Sequence, residues 1–268
     1  MKKMLLLLLL SPTLIKAGVN VKIFYEKTDT GYNIYADNHE YCPVSIKINF
    51  RVFNLKPSHG INNIYVVGAS KKRHLLTKLK ILNKFELYMF SFKGWMYYGK
   101  YNKSYDMEYV YDLPFNKFSR FRIDQGYNGR FSHKNIYALD FSMPIGTEIR
   151  AIRDGVVVKV EEKYSKRCMQ EHCKKFSNFI IIYHSDGTFA SYAHIKKNGA
   201  IVKSGDRISK GELIGYSGDV GYATGAHLHL SVYLEVMGKQ ETIKTKFRID
   251  NGNRSEYLKD KIFYERKY

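Results

Sequence analysis

Three cysteines in 268 residues are too few for a disulfide-built scaffold. Cys168 and Cys173 stand alone as a Cys-x4-Cys with no second pair, which argues against a cysteine zinc module. No apolar run is long enough to cross a bilayer core of about 30 Å. No nucleic-acid motif accompanies the basic charge, so that class of partner is excluded. There is no internal repeat and no low-complexity segment, and the second half shows no long helical period.

What is present is globular and β-prone. Hydrophobic residues make up 44% and charged residues 26%, a balance that excludes a disordered chain. Tyrosine occurs 23 times and aromatics reach 15%, which favours pleated, half-buried surfaces. Lysine and arginine exceed aspartate and glutamate by 44 − 25 = 19. Such a charge attracts anionic partners, and outside the cytoplasm wall polymer or a membrane surface fits better than nucleic acid.

The opening residues have the layout of a secretory signal peptide. Lys2 and Lys3 precede an apolar run from Met4 to Leu10, Ser11 and Pro12 break it, and the small Ala17 follows. This predicts a signal peptide over 1–17 and a periplasmic or secreted mature protein. No cysteine lies near the cut, so no lipid anchor is expected there. In that oxidising compartment Cys168 and Cys173 are expected to pair, leaving Cys42 as a buried small hydrophobe.

Two domains are expected, at 18–118 and 119–268. The first alternates with period two, as in Val44-Ser45-Ile46-Lys47-Ile48-Asn49-Phe50, and predicts a small β-sandwich-like domain. Its histidines, His39, His59 and His74, are isolated and read as surface or structural residues. In the second, Asp154-Gly155 and Asp186-Gly187 each sit between strand-like runs and predict two hairpins.

Candidate chemistry gathers in the second domain. On a strand, His227, His229 and Ser231 share one face while Leu228, Leu230 and Val232 share the other. That is an apolar back in a core and two imidazoles facing a cleft. Ala138-Leu139-Asp140-Phe141 reads as another strand, with Asp140 opposite Leu139 and Phe141. His133 precedes it, and His194 ends the run Ser191-Tyr192-Ala193. Two imidazoles and a carboxylate form the protein ligand set of a catalytic zinc site, whose fourth position is kept for water.

Taken together, His133 with Asp140, Tyr192-Ala193-His194-Ile195 and Gly225-Ala226-His227-Leu228-His229 resemble the M23 peptidases, the LytM or lysostaphin-type family. The resemblance covers roughly 119–235, in the right order, and includes the glycine-turn stretch from Gly205 to Gly218. It implies an all-β chain whose second domain is a β-rich LytM-type peptidase with an open groove. It implies Zn2+ held by His133, Asp140 and His229, with His194 and His227 as catalytic histidines. It also implies a metalloendopeptidase acting on peptidoglycan cross-links. D-Ala–diaminopimelate is the favoured bond, because no wall-binding repeat marks a secreted bacteriocin, and Gly–Gly comes second. In this pattern no glutamate serves as base, so one of His194 and His227 takes the water's proton and the other stabilises the oxyanion. Which does which stays open.

Two positions depart from the family pattern. Six residues separate His133 from Asp140, where many members have three, and Ala226 stands where proline is common. The competing readings are a LytM-like activator of wall amidases without catalysis, a wall-binding module, and a biotinyl- or lipoyl-type carrier. The carrier lacks its lysine at a hairpin tip.

Overall fold

A computed structural model describes residues 13–15, 18–101 and 104–268. The segment read as a signal peptide therefore lies outside the described residues, apart from the backbone of Thr13–Ile15. No helix among the described residues is long and apolar enough to cross a membrane. The chain is nearly all β, and its one helix among the described residues is a 3-10 turn at Glu171–Phe176.

Contacts divide the chain between Tyr101 and Asn102. The first unit stacks two four-stranded sheets. One runs Thr13–Ile15, Met89–Tyr98, Val44–Phe53, Asn62–Val67, and the other Val21–Thr28, Gly31–Asn38, His74–Ile81, Leu55–Pro57. Alternation in Val44–Phe53 sends Val44, Ile46, Ile48 and Phe50 into a core with Ile34, Leu76, Leu79 and Met96. Phe85–Phe90 also alternates, yet the strand there begins only at Met89. Among the described residues of this unit, His39, His59 and His74 join no metal-ligand cluster.

The second unit starts earlier than the expected boundary at residue 119. Tyr111, Leu113 and Phe115 are buried in its core, and Val110–Tyr111 pairs with Lys246–Ile249. Its main sheet places Arg120–Gln125, Ala138–Phe141, Leu228–Val236, Phe189–Ala193, Phe179–Tyr183 and Gly155–Glu161 side by side. A three-stranded sheet, Glu148–Arg150, Leu213–Ser217 and Ile195–Ala200, accompanies it. Ile180, Ile182, Tyr192, Ile195, Ile214, Leu228 and Leu230 fill the core.

One expected hairpin forms and the other does not. Phe179–Tyr183 pairs with Phe189–Ala193 across a turn in which Gly187 takes φ 97°. At Asp154-Gly155 the strands part instead: Glu148–Arg150 joins Leu213–Ser217, while Gly155–Glu161 joins Phe179–Tyr183. Gly155 is needed for closeness rather than for a turn. A Cβ there would lie 2.5 Å from both the Tyr183 carbonyl oxygen and an Ile182 methyl.

Cys168 and Cys173 are bonded, and Cys42 is fully buried. The bridged loop reinforces one wall of the second unit. Arg167–Cys168 pairs in parallel with Gly221–Tyr222, and Ala223 N–H donates to the Cys168 carbonyl.

His184, in the hairpin turn, is fully buried, and its Nδ1 donates to the Asp154 carbonyl at 2.7 Å. Burial pushes its pKa down to about 4, so the ring is neutral in the fold. Its contribution to stability is whole above the unfolded value near 6.5 and is lost as pH falls from there to about 4, for a total of roughly 3 kcal/mol. Exchanging it for asparagine keeps a short donor and removes the titration. Denaturation curves from pH 7 to 4 should show wild type losing more stability than His184→Asn; parallel curves would refute the assignment.

Candidate metal centre

A single row across the main sheet sets the site. Gln125 lies opposite Asp140, Asp140 opposite His229, and His229 opposite Ala193, on four neighbouring strands. Period-two pleating then puts Asp140 and His229 on one face, above a floor that includes Ser191 and Ser231. Leu228, Leu230 and Val232 point the other way into the core. The sequence pattern assigned these faces correctly.

His133 reaches the row from the loop between Arg120–Gln125 and Ala138–Phe141. That loop folds on itself: Asn128 N–H donates to the Ile136 carbonyl, Ile136 N–H to the His133 carbonyl, and Asn135 takes φ 60°. The six-residue spacing to Asp140 is taken up in this turn. His133 is fully buried, and its Nδ1 donates to the Gly126 carbonyl at 3.0 Å. The tautomer is thereby fixed, and Nε2 is left as the free electron pair.

Three donor atoms converge. His133 Nε2 lies 3.2 Å from Asp140 Oδ1 and 3.2 Å from His229 Nδ1, and His229 Nδ1 lies 2.9 Å from Asp140 Oδ1. Zinc–nitrogen and zinc–oxygen bonds of about 2.0–2.1 Å at tetrahedral angles separate donors by about 3.3 Å. The set therefore fits a tetrahedral zinc ion. Burial opposes charge on His133, but Asp140 outweighs it and raises the His133 pKa. Asp140 is nine-tenths buried; burial resists its ionisation, yet hydrogen bonds with His133 and His229 hold it well below the ordinary carboxylate range. The triangle thus favours a cation at its centre.

Two more histidines stand beside it. His194 sits at the corner where the chain leaves the main sheet for the three-stranded one, at φ 63°. Its Nδ1 donates to the Val220 carbonyl at 2.7 Å. Burial, with His227 and His229 nearby, pushes its pKa down to about 3, so the ring is neutral with Nε2 bare. His227 Nδ1 donates to the Gly225 carbonyl at 2.9 Å, and its Nε2 lies 3.8 Å from Asp140 Oδ1. The two rings are 4.4 Å apart. All five residues named from sequence are gathered, and four of them, His133 excepted, line one cavity of about 310 Å³. Phe131 walls it on one side; Tyr222, Ala223 and Lys174, beside the disulfide loop, wall it on the other.

Sequence reading missed Gln125. Its Nε2 donates to Asp140 Oδ2 at 3.0 Å and to Ser132 Oγ at 2.8 Å, while its Oε1 accepts from the N–H groups of Phe131 and Ser132. It therefore orients both Asp140 and the loop that carries His133. Only the pairing of its strand with Ala138–Phe141 reveals this, and no local pattern announces that pairing.

Fold and site together form a candidate metal centre with a histidine–aspartate–histidine ligand set. Residues 134–243 match the model of Peptidase family M23. Over these residues the chain is similar to the M23 peptidases. An uncharacterised metalloprotease of Buchnera aphidicola subsp. Baizongia pistaciae is 30% identical over 88% of this chain and 64% of its own length. The peptidoglycan DD-endopeptidase ShyA of Vibrio cholerae is 34% identical over 41% of this chain and 24% of its own. The glycyl-glycine endopeptidase ALE-1 of Staphylococcus capitis is 38% identical over 35% of this chain and 24% of its own. The chain thus spans less than two thirds of each of these relatives.

Removing the Gln125 amide should loosen Asp140 without removing a ligand. Gln125→Ala is expected to weaken zinc binding by about 10- to 100-fold in a competition titration against a chelator. Unchanged affinity would show that Asp140 is oriented without it.

Proposed function

We propose that the protein is a zinc metalloendopeptidase that hydrolyses peptide cross-links of bacterial peptidoglycan, in the periplasm or outside the cell. The observation that carries this reading is the triangle of His133 Nε2, Asp140 Oδ1 and His229 Nδ1, with no side within it longer than 3.2 Å. Zinc bound there supplies Lewis-acid polarisation of the scissile carbonyl and activation of water. The chain's own part is to place two bare imidazole nitrogens beside the metal. His194 and His227 each spend Nδ1–H on a backbone carbonyl and keep Nε2 for the substrate. One accepts the water's proton at Nε2, and the other takes up a proton from solvent at Nε2 and donates that N–H to the developing oxyanion.

The bond favoured is D-Ala–diaminopimelate, with Gly–Gly second. Both kinds of activity appear in the names of the relatives: one is a peptidoglycan DD-endopeptidase, the other a glycyl-glycine endopeptidase. A non-catalytic activator of wall amidases is the second reading. The complete ligand set with both flanking histidines supports the enzyme over it.

Alanine at three positions separates the roles. His229→Ala should lose zinc and activity together. His227→Ala and His194→Ala should keep about one zinc per chain while wall cleavage falls by about 10²–10⁴-fold. Zinc content by mass spectrometry, melting temperature and release of wall peptides decide the matter. Loss of zinc from His227→Ala with retention in His229→Ala would reverse the assigned roles. A zinc-loaded wild type that releases no wall peptide would overturn the enzyme reading.

A further inference from the structure

The groove does not end at the metal ligands. The cavity that holds them shares Phe131, Asp140 and Thr224 with a second of about 710 Å³. That one shares Gly126, Tyr127, Asn128 and Asp260 with a third of about 670 Å³. The far wall of the third is built from Lys244 to Asp260, beyond residue 243 where the family match ends. That wall therefore lies outside the matched region, and the three cavities follow one another through shared lining residues.

Its lining has a definite chemistry. Tyr127 is a fixed buttress: its hydroxyl donates to the Thr245 carbonyl at 2.9 Å, and its ring meets Tyr137 edge-on at 6.0 Å. Tyr137 and Tyr257 are 36% and 38% exposed and present ring surface to the cavity. Lys244 lies 4.5 Å over one face of the Tyr257 ring. The polar groups are mixed: Asn128, Ser255, Glu256 and Asp260 stand beside Lys244, Lys246 and Lys259. Glu256 is held by the Tyr264 hydroxyl at 2.9 Å, and Lys246 is paired with Glu108 at 3.0 Å. Charges of both signs nearly balance, so the pocket exerts little pull on an anion. Aromatic faces suit the apolar C–H face of a sugar ring, and interspersed amide, hydroxyl, carboxylate and ammonium groups suit its hydroxyls and acetamides.

The geometry points to a saccharide-binding subsite at Tyr127, Tyr137, Tyr257, Asn128 and Asp260, which holds the glycan strand while an attached peptide lies over the metal. This rests on the peptidoglycan reading above and adds to it a second point of attachment for the same polymer. The consequence is a preference for cross-links still carried on glycan over the same peptides released from it.

The test has two arms. In the first, a tetramer of β-1,4-linked N-acetylglucosamine is titrated by calorimetry into the zinc-loaded full chain, with no cleavage involved. Saturable binding with a Kd of about 1 mM or tighter is expected, weakened about tenfold by Tyr257→Ala or Tyr137→Ala. Tyr257→Phe, which keeps the ring, should bind as wild type, and melting temperatures and zinc content should hold in all three. No saturation by wild type, or wild-type affinity retained by both alanine variants, overturns the subsite. In the second arm, KM and kcat are measured for one cross-link with and without its glycan. Tyr257→Ala should raise KM for the glycan-borne substrate alone, with kcat unchanged; an equal rise for both substrates overturns the subsite. If wild type cleaves neither substrate, the peptidase reading falls, and the titration alone still decides the subsite.

Discussion

Three electron-pair donors held within 3.2 Å of one another can hold a cation between them. His133 Nε2 and His229 Nδ1 cannot both face Asp140 Oδ1 as bare lone pairs at that separation without repulsion. A proton relieves one pair at a time, which is why Asp140 raises the His133 pKa. A tetrahedral zinc ion satisfies all three together. The surrounding structure acts to keep the donors from moving apart. The Gly126 carbonyl fixes one ring, Gln125 fixes the carboxylate, and the ladder between Ala138–Phe141 and Leu228–Val236 fixes the third ligand against the second.

Rigidity is concentrated beneath the site. Asp140 and His229 stand on adjacent strands of the main sheet, backed by Leu139, Leu228 and Leu230 in the core. The second tier of chemistry comes from a corner. His194 occupies left-handed backbone where the chain passes between sheets, and Gly218 N–H donates to its carbonyl at 2.8 Å. A side chain at Gly218 would press its Cβ to 2.7 Å from the Lys196 nitrogen, so the corner depends on that glycine. Backbone strain of this kind persists where neighbours over-determine it, and here the Val220 carbonyl also grips the imidazole.

Much of this was legible in the chain. Alternation through His227 to Val232 fixed which residues face the groove, because the pleat allows no other partition. The resemblance to the M23 peptidases singled out His133, Asp140, His194, His227 and His229 before any strand was paired, and the strands bring the five together. What was illegible depended on partners distant in sequence. Asp154-Gly155 carries a hairpin's local signature, yet Ile149 pairs with Gly215 because the second sheet claims that strand. Residues 109–118 resemble the preceding strands locally. Only the burial of Tyr111, Leu113 and Phe115 among side chains as distant as Phe247 assigns them to the second unit. Gln125 escaped notice for the same reason: its role exists only across a bulged ladder.

Within the second unit the site's floor and its walls are built differently. Asp140, His229 and the floor sit on strands, where the period of two leaves one solution, and His133 joins them from a loop. The walls are loops with their own constraints. The disulfide at Cys168 and Cys173 ties the stretch that pairs with Gly221–Tyr222, and a Cβ at Gly221 would lie 2.6 Å from Ser177 Oγ, so that wall is fixed by close packing. Opposite it, Phe131 stacks near Tyr222 with ring centres 6.3 Å apart and planes 22° from parallel. A flat peptide unit between two rings needs about 3.5 Å on each side, the contact distance between carbon atoms. A flat group entering between Phe131 and Tyr222 would therefore have to part these rings slightly.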